Sequence, residues 1–127
     1  MTDGVVRFRF LVVEDEPLIG MDIEYAVEQL GHTVVGPVAE LAEALEWASS
    51  AAIECAILDI NIRGGDSYPV ADKLLERNVP VLFLSGYRTA TFPERLQEQA
   101  QLRKPFTANQ LEQEIRKLCA KVPNPAH

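Results

Sequence analysis

The chain has 127 residues, of which 47% are hydrophobic and 24% charged, and its net charge is −7. That size suits one domain that buries its own core without disulfide or metal staples. The acidity argues against nucleic acid and against anionic membrane surfaces as partners, and points to cations and basic protein surfaces.

The chain opens MTDGVVRFRF, with no long apolar segment of the signal-peptide type. No stretch approaches the roughly 20 apolar residues of a membrane span, so a cytoplasmic location is expected. One domain over residues 7–122 is expected, with flexible termini at 1–6 and 123–127. Cys55 and Cys119 belong to no CxxC motif and read as small buried hydrophobes in a reducing compartment.

The first strand is FRFLVV (8–13), and Pro17 to Leu30 follows as a helix with Ile19, Ile23, Val27 and Leu30 on one stripe. Gly31 is placed to cap that helix in the left-handed region. His32 beside it reads as a turn residue. TVVGPV (33–38) is the second strand. Glu40 to Ser49 is a helix carrying Leu41, Leu45 and Ala48 together. ECAILDI (54–60) is the third strand, and Tyr68 to Glu76 the next helix, with Val70, Leu74 and Leu75 inward.

VPVLFLS (79–85) is the fourth strand. The segment 87–100 is a poor helix former: Thr89 and Thr91 are unfavourable and Pro93 limits any start, so a short, loosely held helix is expected. AQLR (100–103) is a weak fifth strand. Thr107 to Gln110 then reads as a capping box, with Phe106 and Leu111 as a hydrophobic staple, ahead of a helix lined by Leu111, Ile115 and Leu118.

Four of the strands are near-continuous apolar runs, as parallel strands covered on both faces tend to be. Five strand–helix units predict a flavodoxin-like (βα)5 doubly wound parallel sheet in the order 2-1-3-4-5. There is no GxGxxG, so nothing local supports a dinucleotide fold.

Ligands of open α/β sheets bind at the carboxyl ends of the strands. There the first strand delivers Glu14 and Asp15, the third Asp59, the fourth Ser85 and the fifth Lys104, ahead of Pro105. Each has an ordinary reading alone: Glu14, Asp15 and Glu16 as helix-capping acids, Asp59 and Ser85 as turn residues, Lys104 as a solvated charge. Unrelated solvated residues have no reason to end successive parallel strands on one edge. Three carboxylates in one pocket resist joint ionisation unless a cation joins them, and an oxygen-only donor set suits Mg2+. A hydroxyl and an ammonium opposite could hold a metal-bound anion such as phosphate.

This arrangement resembles the response-regulator receiver domain of two-component signalling, from about Phe8 to Leu118. The stretch LDINIRGGDSYPVADKLLERNVPVLFLSGY resembles more narrowly the stand-alone receivers of the FAT GUY group. Phe83-Leu84-Ser85-Gly86-Tyr87 stands where that group has F-A-T-G-Y; Leu84 and Ser85 depart from it, though Ser85 keeps the hydroxyl.

The resemblance implies a phosphoacceptor signalling domain, not an enzyme, that takes a phosphoryl group on Asp59 from a histidine kinase of the HWE type. It implies Mg2+ held by Asp15, Asp59 and the Asn61 carbonyl, with Glu14 acting through a metal-bound water. It implies Ser85 and Lys104 as phosphoryl-stabilising groups, and a cis bond at Lys104-Pro105. The usual switch aromatic, three residues before the lysine, is Gln101 here, so the switch is expected among Ser85, Tyr87 and Gln101. One hypothesis is that phosphorylation orders segment 87–100. No output domain fits in the chain, so output is expected through protein contacts or as a phosphate sink.

Three alternatives stand beside this reading: a receiver-like scaffold that is not phosphorylated, a hydrolase passing through an aspartyl-phosphate, and a flavin-binding domain. The hydrolase lacks a DxD on its first strand, and EDEPLIG is too acidic for a flavin phosphate loop.

Overall fold

The computed structural model describes residues 6–86 and 92–123. In chain order the elements are β1 (Arg9–Val13), α1 (Pro17–Gln29), β2 (Thr33–Val38), α2 (Leu41–Ser50), β3 (Cys55–Asp59), β4 (Asn61–Ile62), β5 (Gly65–Asp66), α3 (Tyr68–Glu76), β6 (Val81–Ser85), a 3-10 turn (Glu94–Leu96), β7 (Ala100–Arg103) and α4 (Ala108–Ala120). Five strands form one parallel sheet in the order β2-β1-β3-β6-β7. Counted along that sheet, this is the expected 2-1-3-4-5.

Alternation along the strands divides the core into two layers. Leu11, Val13, Ala56, Leu58, Val81 and Phe83 face α2 and α3, packing with Ala44, Ala48, Val70, Ala71 and Leu74. Phe10, Val12, Cys55, Ile57, Leu82 and Leu84 face α1 and α4, packing with Ile23, Ala26, Val27, Leu111, Ile115 and Leu118. β3 and β6 are buried at every residue. Each fully buried Leu, Ile or Phe contributes about 1.5–3 kcal/mol, so both faces hold the strand ends in fixed positions.

The local signals explain the helix ends. Pro17 opens α1, and Gly31 follows it at φ 94°. Thr107 Oγ1 accepts from the Gln110 N–H at 3.0 Å while Gln110 Oε1 accepts from the Thr107 N–H at 2.9 Å, the expected reciprocal cap. Phe106 packs against the cluster that contains Leu111.

Three features depart from the expectations. No element is expected between the third strand and the helix from Tyr68, yet Asn61–Ile62 and Gly65–Asp66 pair as a small antiparallel hairpin, with Gly64 at φ 97° and Gly65 at φ 140°. The expected loose helix over 87–100 is, among the described residues, a single 3-10 turn. It is also anchored: Leu96 is buried, Arg95 forms a two-pronged pair with Asp72 at 2.8 and 3.0 Å, and Phe92 packs edge-on to Tyr68 and Phe83. Tyr87 lies outside the described residues. His32 is no simple turn residue: its ring stacks on Phe8 and its Nδ1 accepts the Phe8 N–H at 3.0 Å.

The peptide bonds Gly36–Pro37 and Lys104–Pro105 are cis. At Gly36 the β1–β2 register shifts, because Leu11 pairs with Val35 but Val13 with Val38. Gly36 sits at φ 107°, and a Cβ there would lie 2.7 Å from the Val38 nitrogen and 2.8 Å from the Val12 oxygen. Only glycine fits this bulge. The bulge presents the Val38 carbonyl to the Glu14 N–H at 2.9 Å, which fixes the backbone just past β1.

Candidate functional site

Parallel strands all end on one edge, so β1, β3, β6 and β7 deliver their last residues to the same corner. Glu14 and Asp59 are buried, at 3% and 7% exposure, and Ser85 at 6%; Asp15 is half-buried. Asp59 pairs with Leu84, and the Ile60 N–H donates to the Leu84 carbonyl at 3.1 Å, which sets Asp59 beside Ser85. The Lys104 N–H donates to the Ser85 carbonyl at 2.8 Å, tying the loop after β7 to the end of β6.

Glu14, Asp15 and Asp59 each offer a carboxylate oxygen, and these oxygens lie within 4.8 Å of one another. Lys104 enters the group from the far side. Its Nζ lies 3.1 Å from Glu14 Oε1, 3.1 Å from Glu16 Oε1 and 3.2 Å from Asp59 Oδ2. Glu14 Oε2 accepts the Glu16 N–H at 3.1 Å. Glu14 Oε1 is at ion-pair distance from Lys104 but, buried, has no aligned hydrogen-bond donor.

Burial raises the Glu14 carboxyl to about 7, with the Asp59 charge and a shared hydrogen bond with Asp59 adding to the rise. The Glu16 N–H and Lys104 pull it back only in part. Burial alone would lower the Lys104 ammonium, but the Glu14, Asp59 and Glu16 carboxylates outweigh it and raise Lys104 above its ordinary value. One ammonium therefore faces more negative charge than it neutralises.

The donor set fits a small divalent cation. It is oxygen only, it is crowded, and it includes a buried oxygen without a donor. The acidic cluster could hold a metal ion.

Asn61 lies two residues past Asp59, at the start of β4 and exposed. Ser85 closes β6, beside Arg103 of β7. Gln101 is exposed on β7 and pairs with Phe83, away from the acidic corner. The sequence reading treated Glu16 only as a capping acid and so missed its ion pair with Lys104, 88 residues away; the EDEP run was the available signal.

Comparison with known proteins places this geometry. Residues 10–116 match the response regulator receiver domain family. The chain belongs to that family.

The receiver is 38% identical to SdrG from Sphingomonas melonis Fr1, whose solution structure it matches with a TM-score of 0.77, over 89% of this chain and 97% of SdrG. It is 43% identical over 88 residues to the phyllosphere-induced regulator PhyR of Methylorubrum extorquens, covering 67% of this chain and 31% of PhyR. It is 28% identical over 113 residues to the transcriptional regulatory protein PdtaR of Mycobacterium tuberculosis, covering 86% of this chain and 55% of PdtaR. The receiver thus spans about a third to about half of these curated relatives. Receivers of this family are signalling domains of two-component systems. Among the described residues no helix is long and apolar enough to cross a membrane.

Proposed function

We propose that this receiver accepts a phosphoryl group on Asp59 from the phosphohistidine of a histidine kinase, of the HWE type, with Mg2+ in the acidic corner. The observation that carries this reading is the Lys104 ammonium, 3.2 Å from an Asp59 carboxylate that shares its pocket with Glu14 and Asp15.

Asp15, Asp59 and the Asn61 carbonyl would hold the metal, and Glu14 would reach it through water. Bound there, Mg2+ supplies positive charge that offsets repulsion between the carboxylate and phosphoryl oxygens.

The chain's own residues do the rest. An Asp59 carboxylate oxygen attacks phosphorus as the bond to the kinase imidazole breaks. A carboxylate is a weak nucleophile, so positioning and charge stabilisation carry the step. Lys104 moves its ion pair from the carboxylates to a phosphoryl oxygen, and the Ser85 hydroxyl donates to another. The switch is assigned to Ser85, Tyr87 and Gln101.

A kinase also needs a surface to dock on. Leu18, Met21 and Tyr25 form an exposed apolar stripe on α1, beside the acidic corner. Output runs through protein contacts or by draining phosphate from a shared kinase.

The reading is tested by phosphotransfer from a panel of phosphorylated histidine kinases, with Mg2+ and with EDTA. It expects label in the receiver with Mg2+ and none with EDTA. Binding of a kinase with no label under either condition would favour a receiver-like scaffold instead.

A further inference from the structure

On the α1–α4 side of the sheet, three groups that the acidic corner does not use come together. Cys55 is buried at the start of β3, Cys119 is partly exposed in the last turn of α4, and His32 immediately precedes β2. They are far apart in sequence and belong to one packed cluster with Phe8 and Phe10.

The hydrogen bonds assign the protons. His32 Nδ1 accepts the Phe8 backbone N–H, so it carries no proton itself. The neutral ring therefore holds its proton on Nε2, which lies 3.5 Å from Cys119 Sγ. At that contact the histidine donates and the sulfur accepts. Cys55 belongs to the buried cluster that Cys119 packs against. The donor from His32 favours the Cys119 thiolate.

The charged neighbours agree. The neighbouring Cys55 thiol lowers Cys119, burial opposes it and Arg116 adds to the lowering. Cys55 is raised by Cys119, by burial and by the charge of Glu54. Burial lowers His32, which keeps its ring neutral near pH 7.

We propose that Cys119 and Cys55 are a peroxide-sensitive thiol pair, with Cys119 the nucleophile and Cys55 the resolving thiol. The Cys119 thiolate attacks one oxygen of a hydroperoxide. The O–O bond breaks, hydroxide leaves, and Cys119 becomes a sulfenic acid. Cys55 then attacks the Cys119 sulfur; the S–O bond breaks and the oxygen leaves as water with the Cys55 proton. The hydroxide takes up the proton that Cys119 had released. The two thiols lose two electrons, and hydrogen peroxide is reduced to two waters. The disulfide would join the last turn of α4 to the first residue of β3.

The test treats the reduced full chain with hydrogen peroxide, caps remaining thiols after denaturation, and maps the peptides. A Cys55–Cys119 linked peptide in monomeric protein, reversed by dithiothreitol, supports the proposal. In Cys55→Ser the reaction should stop at a sulfenic acid on Cys119, trapped by dimedone. His32→Phe keeps an aromatic ring and removes the N–H, and should alkylate at Cys119 roughly tenfold more slowly near neutral pH. Wild-type protein that keeps both thiols free after peroxide, or that carries the dimedone adduct on Cys55, would overturn the assignment. Because that readout uses the wild type, it holds even if a variant fails to fold.

Discussion

The acidic corner should make the metal-free receiver less stable as pH rises, and Glu14→Gln isolates that effect. Glu14 is raised from 4.5 to about 7 in the folded state. Between those values the unfolded chain has released the Glu14 proton and the folded chain has kept it. Stability is therefore fully present below about 4.5, falls through the interval, and levels off above about 7. At about 1.36 kcal/mol per pKa unit, a shift of about 2.5 units sets an upper bound of about 3 kcal/mol on that loss.

Glutamine keeps the shape of the protonated side chain and has nothing to titrate. In urea unfolding with EDTA, Glu14→Gln should exceed wild type by less than about 1 kcal/mol near pH 5. It should exceed wild type by about 2–3 kcal/mol near pH 8. Taking the difference between the proteins cancels the other carboxylates. Added Mg2+ should narrow the pH 8 gap, because wild type alone gains a charged Glu14 near the metal, and its Mg2+ affinity should rise from pH 6 to pH 8. A difference between the two proteins that does not change from pH 5 to pH 8 would refute the reasoning.

Other substitutions probe the parts that build the site. Gly36→Ala forces a side chain into φ 107° and into backbone contact below 3 Å; it should cost about 2 kcal/mol or more in urea unfolding and weaken Mg2+ binding. Thr107→Ala removes one half of the α4 cap and should cost about 1 kcal/mol by the same method, with Mg2+ affinity unchanged. Leu18→Glu on the exposed α1 stripe should leave stability within about 0.5 kcal/mol. It should slow phosphotransfer from a kinase roughly tenfold while leaving labelling by a small phosphodonor unchanged; equal slowing with both donors would place the effect in the chemistry, not the docking.

Much of this fold was legible because parallel strands leave a plain trace. β1, β3 and β6 are covered on both faces, so their apolar residues run without alternation and stand out. The α4 cap was legible because both of its partners lie within four residues. The acidic corner was legible from chain order, since the ends of parallel strands must share an edge.

What was missed depends on contacts between distant residues. The β4–β5 hairpin has two residues per strand, too few to show a period. The Glu16–Lys104 pair, the Phe8–His32 stack and the packing of Cys55 and Cys119 into one cluster exist only once the chain has folded. The 92–96 segment was read as weak from its propensities, yet Phe92 and Leu96 tie it to the core. Tertiary burial there outweighs a poor helical signal.

The central claim is that Asp59 is the phosphoacceptor. Phosphorylated receiver reduced with borohydride converts an acyl phosphate on aspartate to homoserine, which peptide mass analysis can place in the chain. The account predicts homoserine at position 59 in wild type and no label in Asp59→Asn. Label that persists in Asp59→Asn, or homoserine at position 15 in wild type, would contradict it.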